Sequence, residues 1–112
     1  MKTAALLLSF LLPLSIQAGT QPGKKYPPGS WQPANPDTNA EAAARFAIEQ
    51  KSRESATPIT LVRIISLERQ VVAGLNYKLR LAVTENSKVR EALATVWQKP
   101  DGSLTLTSWD WL

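Results

Sequence analysis

Two strand-like runs, separated by one short tip, constrain the fold of this chain more than any other feature. Residues 59–67 are rich in β-branched and aliphatic residues, and residues 75–83 alternate apolar and polar side chains with a period of two. Such a pair predicts an antiparallel hairpin with one covered face. The tip between the runs consists of Gln70, Val71, Val72, Ala73 and Gly74.

The two valines at this tip are unusual. Hairpin tips are normally polar because their backbone groups face water. Apolar side chains that remain exposed indicate a binding surface. The sequence therefore predicts that residues 70–74, which we call the first hairpin, present Val71 and Val72 to a partner. The alternative interpretation is an ordinary strand end that runs into a turn containing glycine.

A helix is predicted before the first hairpin. Residues 38–54 are rich in alanine, the strongest helix former, and Thr38 and Glu41 have the spacing of a capping box. Ala43, Phe46 and Ala47 recur at helical spacing and predict the buried face.

Two further strands are predicted after it, over residues 89–97 and from Leu104 onwards, with a turn at residues 99–103 between them. A short strand is also predicted near residues 30–33, before the helix. Within residues 59–67, strict alternation places Leu61, Ile65 and Leu67 on one face and Val62 and Ile64 on the other. The predicted fold class is α+β, with one helix packed across a curved antiparallel β-sheet.

The first hairpin matches the Gln-x-Val-x-Gly loop of the cystatins, which are protein inhibitors of papain-like cysteine proteases. Residues 44–48, Ala-Arg-Phe-Ala-Ile, resemble the helix signature of the plant members. The chain thus resembles the cystatin family over residues 29–112, and it is closest in pattern to members without disulfides. The resemblance implies the cystatin-like fold and a papain-like protease as partner. The alternative is a secreted binding module of the same fold that does not inhibit proteases.

The resemblance also implies three protease-binding segments at one sheet edge. They are the segment around Gly29, the first hairpin, and the turn that carries Pro100 and Asp101. Antiparallel connectivity puts the two hairpins at the same edge. Asp101 stands where the family has tryptophan, and Pro28 stands where a larger apolar residue often precedes the glycine. Both departures imply weaker binding.

The amino terminus has the layout of a secretory signal peptide. A basic start at Lys2 precedes an apolar run over residues 4–12, and Ala18 is a small residue suited to the cleavage site. The very short basic start is of a bacterial type. We expect a signal peptide at residues 1–18, a flexible segment at residues 19–30 rich in proline and glycine, and the cystatin-like domain at residues 31–112. The protein is expected to be secreted or periplasmic, and monomeric.

Composition argues against other function classes. The chain has no histidine and no cysteine, which excludes Ser-His and Cys-His nucleophile pairs, the usual zinc sites and disulfides. We therefore expect no enzyme activity, no metal and no cofactor. The remaining enzyme alternative is a hydrolase with paired carboxylates, which needs a cleft that so small a domain has little room to form. The net charge of +4 comes from basic residues scattered among acidic ones, so no nucleic-acid surface is expected. No membrane contact is expected after cleavage of the signal peptide.

Overall fold

The computed structural model describes residues 26–112, so the expected signal peptide and residues 19–25 lie outside the described residues. Over residues 26–112 the chain forms one helix and a five-stranded sheet in which every neighbouring pair is antiparallel and the strands follow chain order. This architecture confirms the predicted α+β class. Its elements are β1 (Trp31–Ala34), α1 (Thr38–Ser55), β2 (Ile59–Val72), β3 (Gly74–Glu85), β4 (Lys88–Gln98) and β5 (Leu104–Trp111).

The N-cap of helix α1 lies one residue earlier than the capping box predicts. Asp37 is the N-cap, with extended backbone angles, and its side chain accepts a hydrogen bond of 2.9 Å from the backbone N–H of Ala40. Thr38 is already helical, so the prediction that it caps the helix is wrong. Aspartate is at least as good a cap as threonine, and its charge also suits the positive end of the helix dipole.

The core lies between α1 and one face of the sheet. The helix contributes mainly alanines, which allow its backbone to approach the sheet closely. The sheet contributes larger side chains from β3 and β4. Because the chain has no disulfide, this apolar contact is the main stabilising element of the domain. The largest fully buried side chains are Tyr77, Leu79, Leu81, Val83 and Val96.

Strand β2 departs from strict alternation. Its register against β3 shifts between Leu61 and Arg63 and again between Ile64 and Ser66. Each bulge adds one unpaired residue, so the side chains after it change face. Leu61, Ile64 and Leu67 consequently pack on the helix side. The prediction that Ile65 shares that face, opposite Ile64, is wrong.

Only part of β2 has strand neighbours on both sides. Within the part of the chain that the structure describes, β1 pairs with residues 67–70, whereas residues 59–66 pair with β3 alone. At the opposite side of the sheet, Trp109 and Trp111 of β5 pack against the core with their rings edge to face, 5.2 Å apart. No helix in residues 26–112 is long and apolar enough to cross a membrane.

Candidate functional site: three loops at one edge of the sheet

The strand register brings the predicted binding segments together. Strand β1 starts beside the end of β2, where Trp31 pairs with Gln70. The β2–β3 turn lies next to the β4–β5 turn, because Leu75 pairs with Gln98 and Gln98 pairs with Leu104. The three predicted segments therefore lie at the same end of the strands: Gly29, the first hairpin, and the turn with Pro100 and Asp101. We call this end of the sheet the loop edge.

The first hairpin presents its valines to solvent, as the sequence predicts. Strand β2 runs to Val72 and β3 starts at Gly74, so the chain reverses at Ala73. The Val71 side chain is 62% exposed and that of Val72 is 40% exposed. The tip is thus a small apolar protrusion whose two valines remain accessible to a partner.

Gly74 is required by a close approach of strands. Its φ is +88°, and a Cβ atom there would lie 2.0 Å from the backbone oxygen of Gln98. No side chain could occupy that space without moving β4. Gly74 therefore permits the first hairpin to lie directly against the backbone of Gln98 and Lys99. Its role is to adopt a backbone conformation, and a close contact, that a side chain would prevent.

The segment around Gly29 forms a defined turn. The Ser30 backbone N–H donates to the Pro27 carbonyl at 3.1 Å, and the Ser30 hydroxyl donates to the same oxygen at 2.7 Å. With proline second and Gly29 third at a φ of +79°, this is a type II turn. We call residues 27–30 the amino-terminal turn. They are the last residues of the segment expected to be flexible.

Two side-chain amides connect this turn to the sheet. Nε2 of Gln70 donates to the Gly29 carbonyl at 2.9 Å, and Oε1 of Gln70 accepts from Nδ2 of Asn76 at 2.8 Å. The Gln70 amide is thus engaged at both ends within the chain. Sequence reasoning assigned Gln70 to protease contact and did not single out Asn76, because pairing across strands is visible only once the register is known.

Trp97 supports the first hairpin from β4. Its indole Nε1 donates to the Ala73 carbonyl at 2.9 Å. The ring also borders a hollow of about 360 Å³ together with Val72, Ala73, Asn76 and Thr107. The sequence places Trp97 at the end of the strand predicted over residues 89–97 and gives it no role at the tip. Its contact with the tip follows from the closeness of β3 and β4, which the sequence signals only through Gly74.

Asp101 has a local structural role in the second hairpin, residues 99–103. Its Oδ1 accepts hydrogen bonds from the Ser103 backbone N–H at 2.9 Å and from the Ser103 hydroxyl at 2.7 Å. These bonds, the backbone one first, hold the pKa of Asp101 below its ordinary value. The hairpin is closed by a 2.8 Å bond from the Lys99 N–H to the Ser103 carbonyl. Pro100 and Asp101 are both exposed.

A polar network beneath the loop edge connects it to the start of α1. Arg69 pairs with the N-cap Asp37, and its guanidinium lies 5.8 Å from the ring centre of Tyr77. The Tyr77 hydroxyl donates to Gln98 at 3.3 Å. Burial raises the pKa of Tyr77, so this phenol stays neutral. The strands of the first hairpin are in this way held to the helix as well as to each other.

A single helix on a five-stranded antiparallel sheet, with three loops at one edge, defines a protein of the cystatin type. The salivary cystatin of the soft tick Ornithodoros moubata has this fold, with a TM-score of 0.67 and 22% identity over 76% of this chain and 98% of the tick chain. Mialostatin, a gut cystatin of the hard tick Ixodes ricinus, has a TM-score of 0.66 at 18% identity, over 74% and 97% of the two chains.

Sequence comparison identifies the family. The family model SQAPI, described as "Aspartic acid proteinase inhibitor", matches residues 35–112. Cysteine proteinase inhibitor 5 of Arabidopsis thaliana is 33% identical over 97 residues, which are 84% of this chain and 75% of the relative. Cysteine proteinase inhibitor 1 of Actinidia chinensis var. chinensis is 33% identical over 79 residues, or 69% and 68% of the two chains. The chain belongs to the cystatin family.

Proposed function

We propose that this protein is a reversible, non-covalent inhibitor of papain-like cysteine proteases, and that it blocks the substrate cleft with its loop edge. The observation that carries the proposal is the exposed pair Val71 and Val72 at a tip that is held in position by the hydrogen bond from Trp97 to the Ala73 carbonyl. Apolar side chains that are already exposed and fixed in position bind a water-excluding cleft with higher affinity, because they bury apolar area at a small cost in conformational entropy. The plant relatives, named as cysteine proteinase inhibitors, support the same function.

The mode of inhibition follows from the side chains that the chain contains. It has neither cysteine nor histidine, and without cysteine it cannot form a mixed disulfide with the catalytic cysteine of the protease. The exposed valines of the first hairpin instead favour binding through shape, buried apolar area and backbone hydrogen bonds, which make an association reversible. The same composition supports a role as inhibitor and not as enzyme.

The description of the matching family model favours a second target class, the aspartic proteinases. Asp101 is consistent with either choice. It replaces the aromatic residue expected in a cystatin, so the second hairpin presents a polar side chain at its tip. The hydrogen bonds of that side chain to Ser103 stabilise the turn. A binding module without inhibitory activity is the third possibility. These alternatives are separated by one titration.

In that titration, papain and a pepsin-like aspartic proteinase are each assayed with increasing amounts of the mature chain. We expect stoichiometric or near-stoichiometric inhibition of papain, with intact inhibitor recovered from the complex. Inhibition of the aspartic proteinase alone would transfer the proposal to that class. A complex without loss of activity would leave only the binding module.

The contribution of the first hairpin is tested by Val72→Asp. A carboxylate buried against the protease without a partner should cost about 3 kcal/mol or more, or roughly a hundredfold in the inhibition constant. The matched control is Val62→Asp, because Val62 is also exposed, at 51%, but lies on a bulge of β2 away from the loop edge. Equal inhibition by the two variants would exclude the first hairpin as the main contact.

We also propose that the protein acts outside the cytoplasm, either secreted or periplasmic, after removal of residues 1–18. The motive is the leader-like pattern of a basic start, an apolar run and Ala18. Amino-terminal sequencing of the exported protein tests this, and a mature chain that begins near Gly19 is expected. Light scattering of the same material should give the mass of a monomer.

A further inference from the structure

We propose that Gln70 and Asn76 form an amide clamp that fixes the Gly29 carbonyl, and that Gln70 serves binding by positioning the amino-terminal turn and not by touching the protease. The inference rests on the proposed function, since it names how two parts of the loop edge are held in one geometry. It gives Gln70 a different role from the valines beside it, and it adds Asn76 to the binding machinery.

The first step is the geometry of the clamp. Trp31, Gln70 and Asn76 occupy paired positions on β1, β2 and β3, so they form a row across the sheet. Cross-strand partners share one face, which brings the two amides within hydrogen-bond reach. Asn76 donates to Gln70 at 2.8 Å, and Gln70 donates to Gly29 at 2.9 Å.

The second step is the direction of the hydrogen bonds. A glutamine amide presents one acceptor and one donor end, and rotation by half a turn exchanges them. Because the Gly29 carbonyl can only accept, Nε2 of Gln70 faces it, and Oε1 of Gln70 then faces Asn76. Nδ2 of Asn76 donates to that oxygen and so holds the Gln70 side chain in place. In the reversed orientation, two oxygens would oppose each other at Gly29 and two amide nitrogens would oppose each other at Asn76.

The third step is what the clamp holds. Gly29 lies in the amino-terminal turn, directly before β1, and is exposed on its outer side. Among the described residues, the bond from Gln70 is the side-chain hydrogen bond that connects this turn to β2. A turn held before association loses less conformational freedom on binding, which improves affinity without any new contact. The clamp should therefore act chiefly on the lifetime of the complex.

The role of Gln70 differs from that of its neighbours because its polar groups are already engaged. Val71 and Val72 are exposed and free to enter a cleft. A direct bond from Gln70 to a protease would require at least one of its two internal bonds to break, and the Gly29 carbonyl would lose its donor. Retention of the clamp in the complex avoids that loss.

The test compares Gln70→Glu, Asn76→Ala and the control Arg80→Gln in the mature chain. Glutamate still accepts from Asn76 but cannot donate to Gly29, so Gln70→Glu breaks only the second bond. Asn76→Ala removes the donor that holds Oε1 of Gln70. Arg80 lies on the same strand and pairs with Glu91, away from the clamp, so its variant reports any general effect of altering β3.

Two measurements are made on each variant. The first is the ¹⁵N order parameter of the Gly29 and Ser30 amides in the free protein, which needs no protease. We expect values of about 0.85 in wild type and Arg80→Gln, and below about 0.6 in the clamp variants. The second is the dissociation rate from papain, expected to rise about five- to tenfold in the clamp variants.

The outcomes are distinguishable. A rigid Gly29 in both clamp variants would overturn the proposal, whatever happens to inhibition. Faster dissociation of Gln70→Glu with unchanged order at Gly29 would mean that Gln70 contacts the protease directly, and it would also overturn the proposal. If wild type inhibits no protease, the proposed function fails, while the order parameters still decide whether the clamp exists.

Discussion

Replacement of Gly74 by alanine is the sharpest test of how the loop edge is built. Two costs arise at this position. A side chain at a φ of +88° is strained, at about 1–2 kcal/mol. In addition, the new methyl group would lie 2.0 Å from the Gln98 carbonyl oxygen, and the required shift of β4 should cost a further 1–3 kcal/mol or so, as overpacking does elsewhere.

Gly102 provides a matched control for this change. Its φ is +91°, and a Cβ atom added there meets nothing within 4 Å. Gly102→Ala therefore carries the backbone strain without the collision. Both variants gain equally from the stiffer unfolded chain. Expected destabilisation is about 2–5 kcal/mol for Gly74→Ala and about 1–2 kcal/mol for Gly102→Ala before that common offset.

Thermal denaturation measures the difference directly. For a domain of this size, each kcal/mol lowers Tm by about 4–8 °C, so Gly74→Ala should melt roughly 5–20 °C below Gly102→Ala. Its inhibition should also weaken, because displacement of β4 separates the two hairpins. Equal melting temperatures would show that the strands relax around the methyl group at no cost, and the close approach at Gly74 would then have no structural role.

Two further outcomes are expected. Asp101→Trp should tighten binding to papain about tenfold, because an aromatic side chain at an exposed tip buries apolar area in the complex. Tm should fall slightly because Ser103 loses its hydrogen-bond acceptor. Weaker binding at similar Tm would place this turn outside the interface. The hydrogen bond from the Ala40 N–H, and then Arg69, hold the pKa of Asp37 below its ordinary value. The ionised Asp37 therefore stabilises the folded protein above about pH 4, and this contribution is lost as the pH falls through the lowered pKa. Asp37→Asn, which keeps an acceptor for the cap, should reduce the loss of Tm between about pH 4 and pH 2, and an unchanged profile would contradict this.

The parts of the fold predicted from the sequence are those fixed by local patterns. Alternation in β3 and the alanine-rich helix each reflect a period that is visible along the chain. Strand β2 was predicted less well, because its two bulges interrupt the alternation. The bulged residues Val62 and Ile65 are apolar, so composition gives no warning. Pairing with β3 decides the register there, and pairing is not a local property.

The candidate site divides in the same way. The exposed valines were predicted because apolar side chains are unusual at a turn, and Gly74 because it completes the Gln-x-Val-x-Gly motif. Asn76 and Trp97 were not, because a polar or aromatic residue in an alternating strand is ordinary. Their contacts with Gln70 and Ala73 depend on which residues lie opposite each other across strands. Asp101 was predicted to lie in a binding segment and to weaken it in place of tryptophan, and its hydrogen bonds to Ser103 were not predicted.

Among the described residues, the first half of β2 has a strand neighbour on one side only, and this bears on solubility. An open strand offers unpaired backbone groups that another molecule can add to, and long flat edges are starting points for aggregation. Residues 59–66 form such an edge, and both bulges lie within it. Each bulge disturbs the regular spacing of donors and acceptors and increases the local twist. The irregularity that obscures the strand in the sequence thus protects this disulfide-free domain from pairing with its own copies, edge to edge.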